Sequence, residues 1–286
     1  MRPGPGGAGS EGGRLNRDAW RRPALLAGVV TLLLLSLAGL AAPWIAPHSP
    51  AAQDLTRRIE RPTAEHPLGR DDLGRDVLSR LLYGARTSLP VALAVVGLSA
   101  LAGTLVGGVA GAAGGAVDAF LVALMDLLLA FPGMLLAIGL IAVRGPGIGS
   151  LVAALTLLGW VGFARLARGE TQRLVRRPFV AAARAGGAGP WRVLGRHLLP
   201  HLAAPAAVQA AFALGGVIVA EAGLSFLGLG IPPPAATWGG MLREGTQHLL
   251  DAPRLTIWPG AVLALTLLAA QWLGEGLGGD ETPVRP

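Results

Sequence analysis

Two carboxylates lie in long apolar stretches of this sequence. Asp126 is the only charged residue between Ala119 and Val143, and Glu221 follows a stretch from His197 to Ala220 in which only two histidines can ionise. A carboxylate in hydrocarbon is costly, so such a residue lines a polar cavity or bonds to a neighbouring helix. We therefore take Asp126 and Glu221 as pathway candidates that attract a cationic group, with a bond between helices as the structural alternative.

Residue patterns for catalysis are absent or incomplete. The chain has no cysteine, which excludes thiol nucleophiles and cysteine-ligated metals. It has no lysine and therefore no P-loop, so any ATP that drives it must be hydrolysed by another chain. His197 and His201 are four residues apart, but Pro200 intervenes and no glutamate follows His197, unlike the zinc-protease pattern. We predict no catalytic residue, no metal site and no cofactor.

The composition is that of a membrane protein. Hydrophobic residues make up 52% of the 286 residues and charged residues only 14%, against about 25% in soluble domains. A net charge of +7 would suggest nucleic acid as the partner of a soluble protein, but here we expect a lipid bilayer and no nucleic acid. Crossing it takes about 20 helical residues. Six stretches are long enough: Ala24 to Ala42, Thr87 to Val117, Ala119 to Val143, Gly145 to Ala164, His197 to Ala220 and Leu255 to Gly274.

Arginine placement predicts the orientation. Residues 165–200 contain eight arginines against a single acid, Glu170, and residues 1–22 contain five arginines. Cytoplasmic loops carry such an excess, so both termini and this loop are expected inside. The loop from residue 46 to residue 86 is then external, although it holds seven arginines beside six acids. The predicted organisation is a disordered cytoplasmic tail (1–18), a first transmembrane helix with the external loop (19–86), a five-helix transmembrane domain (87–278) and a C-terminal tail (279–286).

The basic loop of residues 165–200 has an ordered composition. Its alanine-rich segment from Ala181 to Ala185 favours helix, Gly186 and Gly187 interrupt it, and Pro190 suits the first turn of a second helix. We predict a helix, a glycine turn and a short second helix. The alternative is a plain basic connector.

The order of residues in this loop resembles a known motif. VAAARAGGAGPWRVLGRHLLP, residues 180–200, is similar to the EAA loop of binding-protein-dependent ABC importer permeases, which docks on the ATP-binding subunit. Two small residues, a glycine four positions later and a final Leu-Pro match, whereas Ala181 replaces the usual glutamate and removes a carboxylate that could pair with the ATPase. The resemblance implies a coupling role for Ala181, Ala182, Ala183, Arg184, Gly187, Leu199 and Pro200.

Two further stretches narrow the resemblance. HPLGRDDLGRDVLSRLLYGARTSL (residues 66–89) and AEAGLSFLGLGIPPPAATWGGML (residues 220–242) are similar to the C-type permease subunit of dipeptide, oligopeptide and nickel importers, the DppC/OppC group. The likeness runs from about Ala19 to Gly278. It implies an all-α type I ABC importer permease with six transmembrane helices, located in the inner membrane. The implied partners are a homologous second permease, two ATP-binding subunits and an extracytoplasmic substrate-binding protein. The implied cargo is di- or oligopeptides, or else nickel or another small solute.

The residues of these two stretches also carry local predictions. Val77 with Leu81, and Leu78 with Leu82, are spaced for a helix that lies at the membrane surface. The prolines 232–234 are expected to end the fifth span. In the loop that follows, Trp238 is expected either to contact a binding protein or to anchor at the membrane interface.

The sequence alone leaves two other functional classes open. A self-contained secondary transporter or channel would need no ATPase, and a structural membrane scaffold would transport nothing. Inverted repeats and broken helices would favour a secondary transporter, but the first three spans show no correspondence with the last three.

Overall fold

The computed structural model describes residues 23–278, so the predicted tails at 1–18 and 279–286 lie outside the described part. The described chain is all-α, and a lone antiparallel bridge between Arg70 and Asp76 is its only β-type pairing. A 3₁₀ turn covers Leu55–Arg57 and a π-helical segment covers Leu194–Leu198. The α-helices are α1 (Pro23–Ile45), α2 (Val77–Ala113), α3 (Gly115–Ala130), α4 (Gly133–Arg144), α5 (Ile148–Val175), α6 (Pro178–Ala185), α7 (Pro190–Val193), α8 (Leu199–Phe226), α9 (Trp238–Thr246) and α10 (Arg254–Gly278).

Five helices of the described chain are long and apolar enough to cross a membrane: α1, α2, α5, the continuous helix Pro190–Phe226 and α10. A sixth crossing exists only if α3 and α4 are taken together, and their axes differ by 84°. The single helix predicted for 119–143 is therefore wrong. Pro132 causes the break, because it lacks the N–H that would continue the helical hydrogen bonds. The all-α membrane class is confirmed.

Helix α2 begins earlier than the charge pattern predicts. The expected surface helix of residues 76–84 is not separate, because it forms the first turns of a 37-residue helix. Asp76 starts that helix, and its side chain accepts a hydrogen bond from Ser79 N at 2.7 Å. At about 1.5 Å per residue, α2 exceeds the ~30 Å of hydrocarbon. One end of α2 must therefore project beyond the hydrocarbon.

Glycines set the distance between α2 and α5, which pack against each other more extensively than any other pair of elements. Gly103, Gly107 and Gly111 recur every fourth residue on one face of α2. A Cβ atom at Gly103 would lie 2.6 Å from Phe163 Cβ, and one at Gly111 would lie 2.7 Å from Arg168 O. Small residues thus allow the two backbones to touch, as expected for helices in a membrane.

The remaining long helices pack around this pair. Gly28 of α1 approaches Ala269 of α10 so closely that a Cβ atom would lie 2.7 Å from its carbonyl oxygen. Helix α10 in turn packs on α8, and α8 packs on α2. The main core, which includes Ala92, Phe163 and Ile218, lies where α2, α5 and α8 meet.

We predict that Gly107→Val lowers the thermal stability of the detergent-purified protein by several degrees, because the new Cβ would collide with the Ala164 carbonyl. Overpacking of this kind costs roughly 1–3 kcal/mol. Gly97→Val is the matched control: it lies in the same helix, and nothing lies within 4 Å of its Cβ position. Equal melting temperatures for the two variants would contradict the close packing.

Candidate functional site

The basic loop folds into a compact helical projection, defined here as the knob (residues 176–198). Helix α6 begins with Pro178 at its first turn and ends before Gly187, whose φ is +80°. Ala188 N donates to Ala183 O at 3.0 Å, and Gly187 N donates to Arg184 O at 3.0 Å. These bonds satisfy the last carbonyls of the helix, as in a glycine-terminated helix end. The predicted helix and glycine turn are confirmed.

The second helix of the knob is not short. Helix α7, the π-helical segment and α8 form one unbroken helix, Pro190–Phe226. Leu199 and Pro200 therefore do not close the knob but lie within a helix that continues across the apolar region. The second half of the knob and α8 are therefore parts of one continuous helix.

A small apolar cluster fixes the knob to the spans. Val180, Val193 and Leu198 are buried and pack with Val109 and other residues at the end of α2. The outer face is different, because Ala181, Ala182, Arg184, Gly187 and Pro200 are exposed while Ala183 and Leu199 are half-buried. Most of the residues assigned to coupling therefore lie on a free surface above an anchored base.

Two aromatic side chains on the knob were not among the predicted functional residues. Trp191 is 75% exposed and Phe179 is 39% exposed. The Phe179 ring also stacks on His201 of α8, with centroids 5.4 Å apart. A signal was present, since aromatic residues are unusual in a loop so rich in arginine and alanine.

The structure pairs Asp126 with an arginine. Arg165 Nη2 of α5 lies 2.5 Å from Asp126 Oδ1, and both side chains are about half exposed. Three residues further along α5, Arg168 donates hydrogen bonds to both carboxylate oxygens of Asp118, at 2.5 and 2.7 Å. The predicted attraction of a cationic group to Asp126 does not fit this geometry, because Arg165 already compensates its charge. The bond between helices is the interpretation that fits.

Glu221 has no exposed surface. Its Oε1 accepts a hydrogen bond from Ser225 Oγ at 2.8 Å, and its Oε2 has no partner among the described residues. The hydroxyl of Ser88, on α2, lies beside it. Glu221 therefore lies between α8 and α2 rather than on an open pathway in this conformation.

Trp238 is a core residue, which corrects both predictions for it. The side chain has 0% exposure, and its Nε1 donates to Leu81 O at 3.1 Å. Its ring covers Gly84, where a Cβ atom would lie 2.6 Å from Trp238 Cδ1. A side chain without exposed area can neither contact a binding protein nor anchor at the lipid interface. Instead it fixes α9 to the start of α2.

A buried ionic cluster of Asp71, Arg75, Arg80 and Glu244 connects the loop before α2 with α9, and the sequence analysis did not predict it. Arg75 lies 2.7 Å from Asp71 and 2.9 Å from Glu244, and Arg80 pairs with the same two acids. The side chains of Arg75 and Arg80 are only 6% and 4% exposed. Asp72 also lies 3.4 Å from Arg75, so the two buried guanidinium groups are compensated by three carboxylates, of which Glu244 remains 28% exposed.

The rest of this loop is also held by polar contacts. His66 Nδ1 lies 2.8 Å from Asp76 Oδ1, and the ring of His48 stacks on His66 with centroids 4.2 Å apart. Asp54 accepts a hydrogen bond from the Thr56 hydroxyl at 2.6 Å, which lowers the pKa of that carboxyl. The loop is therefore an ordered cap on α2 rather than a flexible connection.

These features together define a class: an α-helical membrane protein with a projecting helical knob and no catalytic constellation within residues 23–278. Comparison with known proteins gives the family. The chain belongs to the binding-protein-dependent transport system inner membrane components, whose family profile matches residues 103–274. Residues 15–62 match the N-terminal transmembrane domain of oligopeptide transport permease C. It is a permease subunit of an ABC transporter and not an enzyme.

Individual relatives agree over nearly the full length. A putative peptide transport system permease protein of Brucella suis is 40% identical, with 91% of this chain and 88% of that protein covered. The dipeptide transport system permease protein DppC of Bacillus subtilis is 38% identical, with coverages of 91% and 83%. The glutathione transport system permease protein GsiD of Pectobacterium atrosepticum is 39% identical, with coverages of 91% and 88%.

We predict that Arg80→Met destabilises the protein, because it leaves the carboxylates of Asp71 and Glu244 without half of their positive partners. Breaking a buried pair in this way costs about 3–5 kcal/mol, measurable as a lower melting temperature. Adding Glu244→Gln should recover part of the loss. Arg61→Met, in an exposed position of the same loop, is the control. A melting temperature for Arg80→Met equal to that control would refute a stabilising role for the cluster.

Proposed function

We propose that this permease subunit carries di- or oligopeptides across the inner membrane, as half of a pathway shared with a homologous second permease. An extracytoplasmic binding protein delivers the cargo, and two ATP-binding subunits drive the cycle. The observation that carries the proposal is the knob: an exposed surface on an anchored base, continuous with a membrane-crossing helix. The cargo class rests on the relatives, which are named as peptide, dipeptide and glutathione transport permeases.

The knob is suited to docking in a groove of an ATP-binding subunit. Its exposed aromatic rings, Phe179 and Trp191, offer the type of side chain that is enriched at the centres of protein interfaces. Closure of the two ATP-binding subunits would move the knobs, and the continuous helix to Phe226 would carry that motion into the pathway. Such a cycle is a rigid-body shift between two arrangements. A self-contained transporter would have no use for this surface.

In this proposal Asp126 and Glu221 act on the arrangement of helices rather than on cargo. Arg165 pairs with Asp126, and the Glu221 side chain is fully buried in this conformation.

We further propose that both termini and the knob are cytoplasmic. The arginines of the opposite loop, residues 46–86, are mostly satisfied: five of the seven bond to carboxylates or to a carbonyl oxygen, namely Arg57, Arg58, Arg70, Arg75 and Arg80. By contrast, five of the eight arginines in 165–200 have no ion-pair partner among the described residues. Unpaired positive charge is thus concentrated on the knob. The count of positive residues, which is what the rule for cytoplasmic loops uses, favours the same side, because residues 1–22 add five arginines to the eight of residues 165–200.

We predict that Gly187→Val uncouples ATP hydrolysis from peptide uptake in proteoliposomes that contain the complete transporter. Gly187 has a φ of +80°, where a side chain with a Cβ atom costs roughly 1–2 kcal/mol. The turn should therefore shift, while the spans and membrane insertion stay unchanged. Peptide uptake should fall well below that of wild type. ATP hydrolysis should either continue without uptake or disappear because the ATP-binding subunit no longer binds.

Gly189→Val is the matched control for this experiment. Gly189 lies two residues away with a φ of −68°, which any residue adopts, and both positions have nothing within 4 Å of a Cβ atom. It should keep most of the coupled uptake. Wild-type uptake and hydrolysis by Gly187→Val would show that the knob is only a basic connector.

For the orientation, single cysteines can be placed in a chain that has none. Trp191→Cys on the knob and Leu250→Cys after α9 are suitable, because those side chains are 75% and 96% exposed. In intact spheroplasts an impermeant maleimide should label the cysteine at 250, whereas labelling at 191 should require permeabilisation. The reverse pattern would invert the proposed topology.

A further inference from the structure

An apolar groove of about 460 Å³ opens beside the first half of α2. Tyr83, Arg86, Thr87 and Pro90 form one face of that helix along it. The start of α5 and residues 234–236 of the loop before α9 form the opposite wall. Pro50 of the loop before α2 completes the lining. The groove is therefore bounded by four separate parts of the chain, and its size is in the range of small-molecule sites.

Arg86 is the only charged residue in the lining of this groove. Its guanidinium lies 6.0 Å from the centroid of the Tyr83 ring, a cation–π arrangement that leaves the N–H groups free to bond elsewhere. Within residues 23–278 no carboxylate lies within 4 Å of the Arg86 guanidinium. Arg80 and Arg75, six and eleven residues earlier, are by contrast paired with acids. An exposed, uncompensated cation thus stands at the edge of an apolar surface.

We propose that Arg86 binds the terminal carboxylate of the transported peptide and that the groove receives an adjacent apolar side chain. The inference rests on the proposed function, since it specifies how that cargo is held. A guanidinium matches a carboxylate with two parallel hydrogen bonds. The lining contains no acid, so the amino end of a peptide has no partner there.

The position suits an entry site. Arg86 lies nine residues after the start of α2, on the side opposite the knob, where the proposed orientation places the binding protein. Thr87 donates its hydroxyl hydrogen to Tyr83 O at 3.1 Å, so this hydroxyl is already engaged within its own helix. Arg86 is the one cation in the lining, and it therefore provides the charge that would bind a negative group, with the Tyr83 hydroxyl as a further donor in the same lining.

The test compares a peptide with its C-terminal amide. Initial uptake of Ala-Phe and of Ala-Phe amide is measured in proteoliposomes with the complete transporter, and each rate is corrected for occupancy of the binding protein. We expect wild type to prefer the free carboxylate. Arg86→Gln should lower uptake of Ala-Phe about tenfold or more, as expected for loss of a charge-assisted bond, and leave uptake of the amide unchanged. Arg86→Lys, which keeps the charge, should retain a substantial part of the preference.

Three results would overturn the inference. Unchanged uptake of both compounds by Arg86→Gln would show that Arg86 contacts neither, and equal loss for both would indicate a contact with the second permease or a lipid phosphate instead. If the wild-type complex imports neither compound, the peptide cargo itself is wrong, and this inference falls with it. Arg61→Gln, an exposed arginine outside the groove, is the control and should match wild type in all arms.

Discussion

The contact between α2 and α5 is the constraint on which the other contacts depend. Glycines every fourth residue bring the two backbones together, so no side chain separates the helices along this line. With this spacing fixed, Arg165 and Arg168 of α5 reach the acids of α3. At the other end, the same α2 presents Leu81 O to the indole of Trp238 and thereby positions α9. Wider spacing would separate Arg165 and Arg168 from the acids of α3, which follows α2 directly after Gly114.

Charge is handled differently at the two ends of the molecule. Around the first turns of α2 the guanidinium groups are buried against Asp71, close in sequence, and Glu244 from a distant part of the chain, which gives a rigid cap with paired charges. On the knob the arginines project freely, and a small apolar cluster provides the attachment. One end is thus built to keep its shape and the other to meet partners. Arg61 and Arg86 are the exceptions in the loop of residues 46–86, because neither bonds to a carboxylate or to a carbonyl oxygen within residues 23–278.

The predictable features were those that depend on neighbours in sequence. The length of the apolar stretches predicted the membrane spans. The alanine-rich segment followed by two glycines predicted helix α6 and its turn, because helix propensity and positive φ are local properties. The start of α2 was missed because its arginines are neutralised by Glu244, 164 residues away from Arg80. The burial of Trp238 and the partner of Asp126 depend likewise on distant contacts. The break at Pro132 was the exception: its signal was local and visible, but the uninterrupted hydropathy hid it.

The π-helical segment Leu194–Leu198 sets the angular phase between the knob and α8. A π turn accommodates an extra residue compared with an α turn, and one residue corresponds to about 100° of rotation around a helix with 3.6 residues per turn. Converting the segment to regular α-helix without removing a residue would therefore turn the knob by about that angle about the α8 axis. Helix α8 could keep its packing, but Phe179 and Trp191 would face another direction. Such a change would alter which surface meets an ATP-binding subunit while leaving hydropathy and composition almost unchanged.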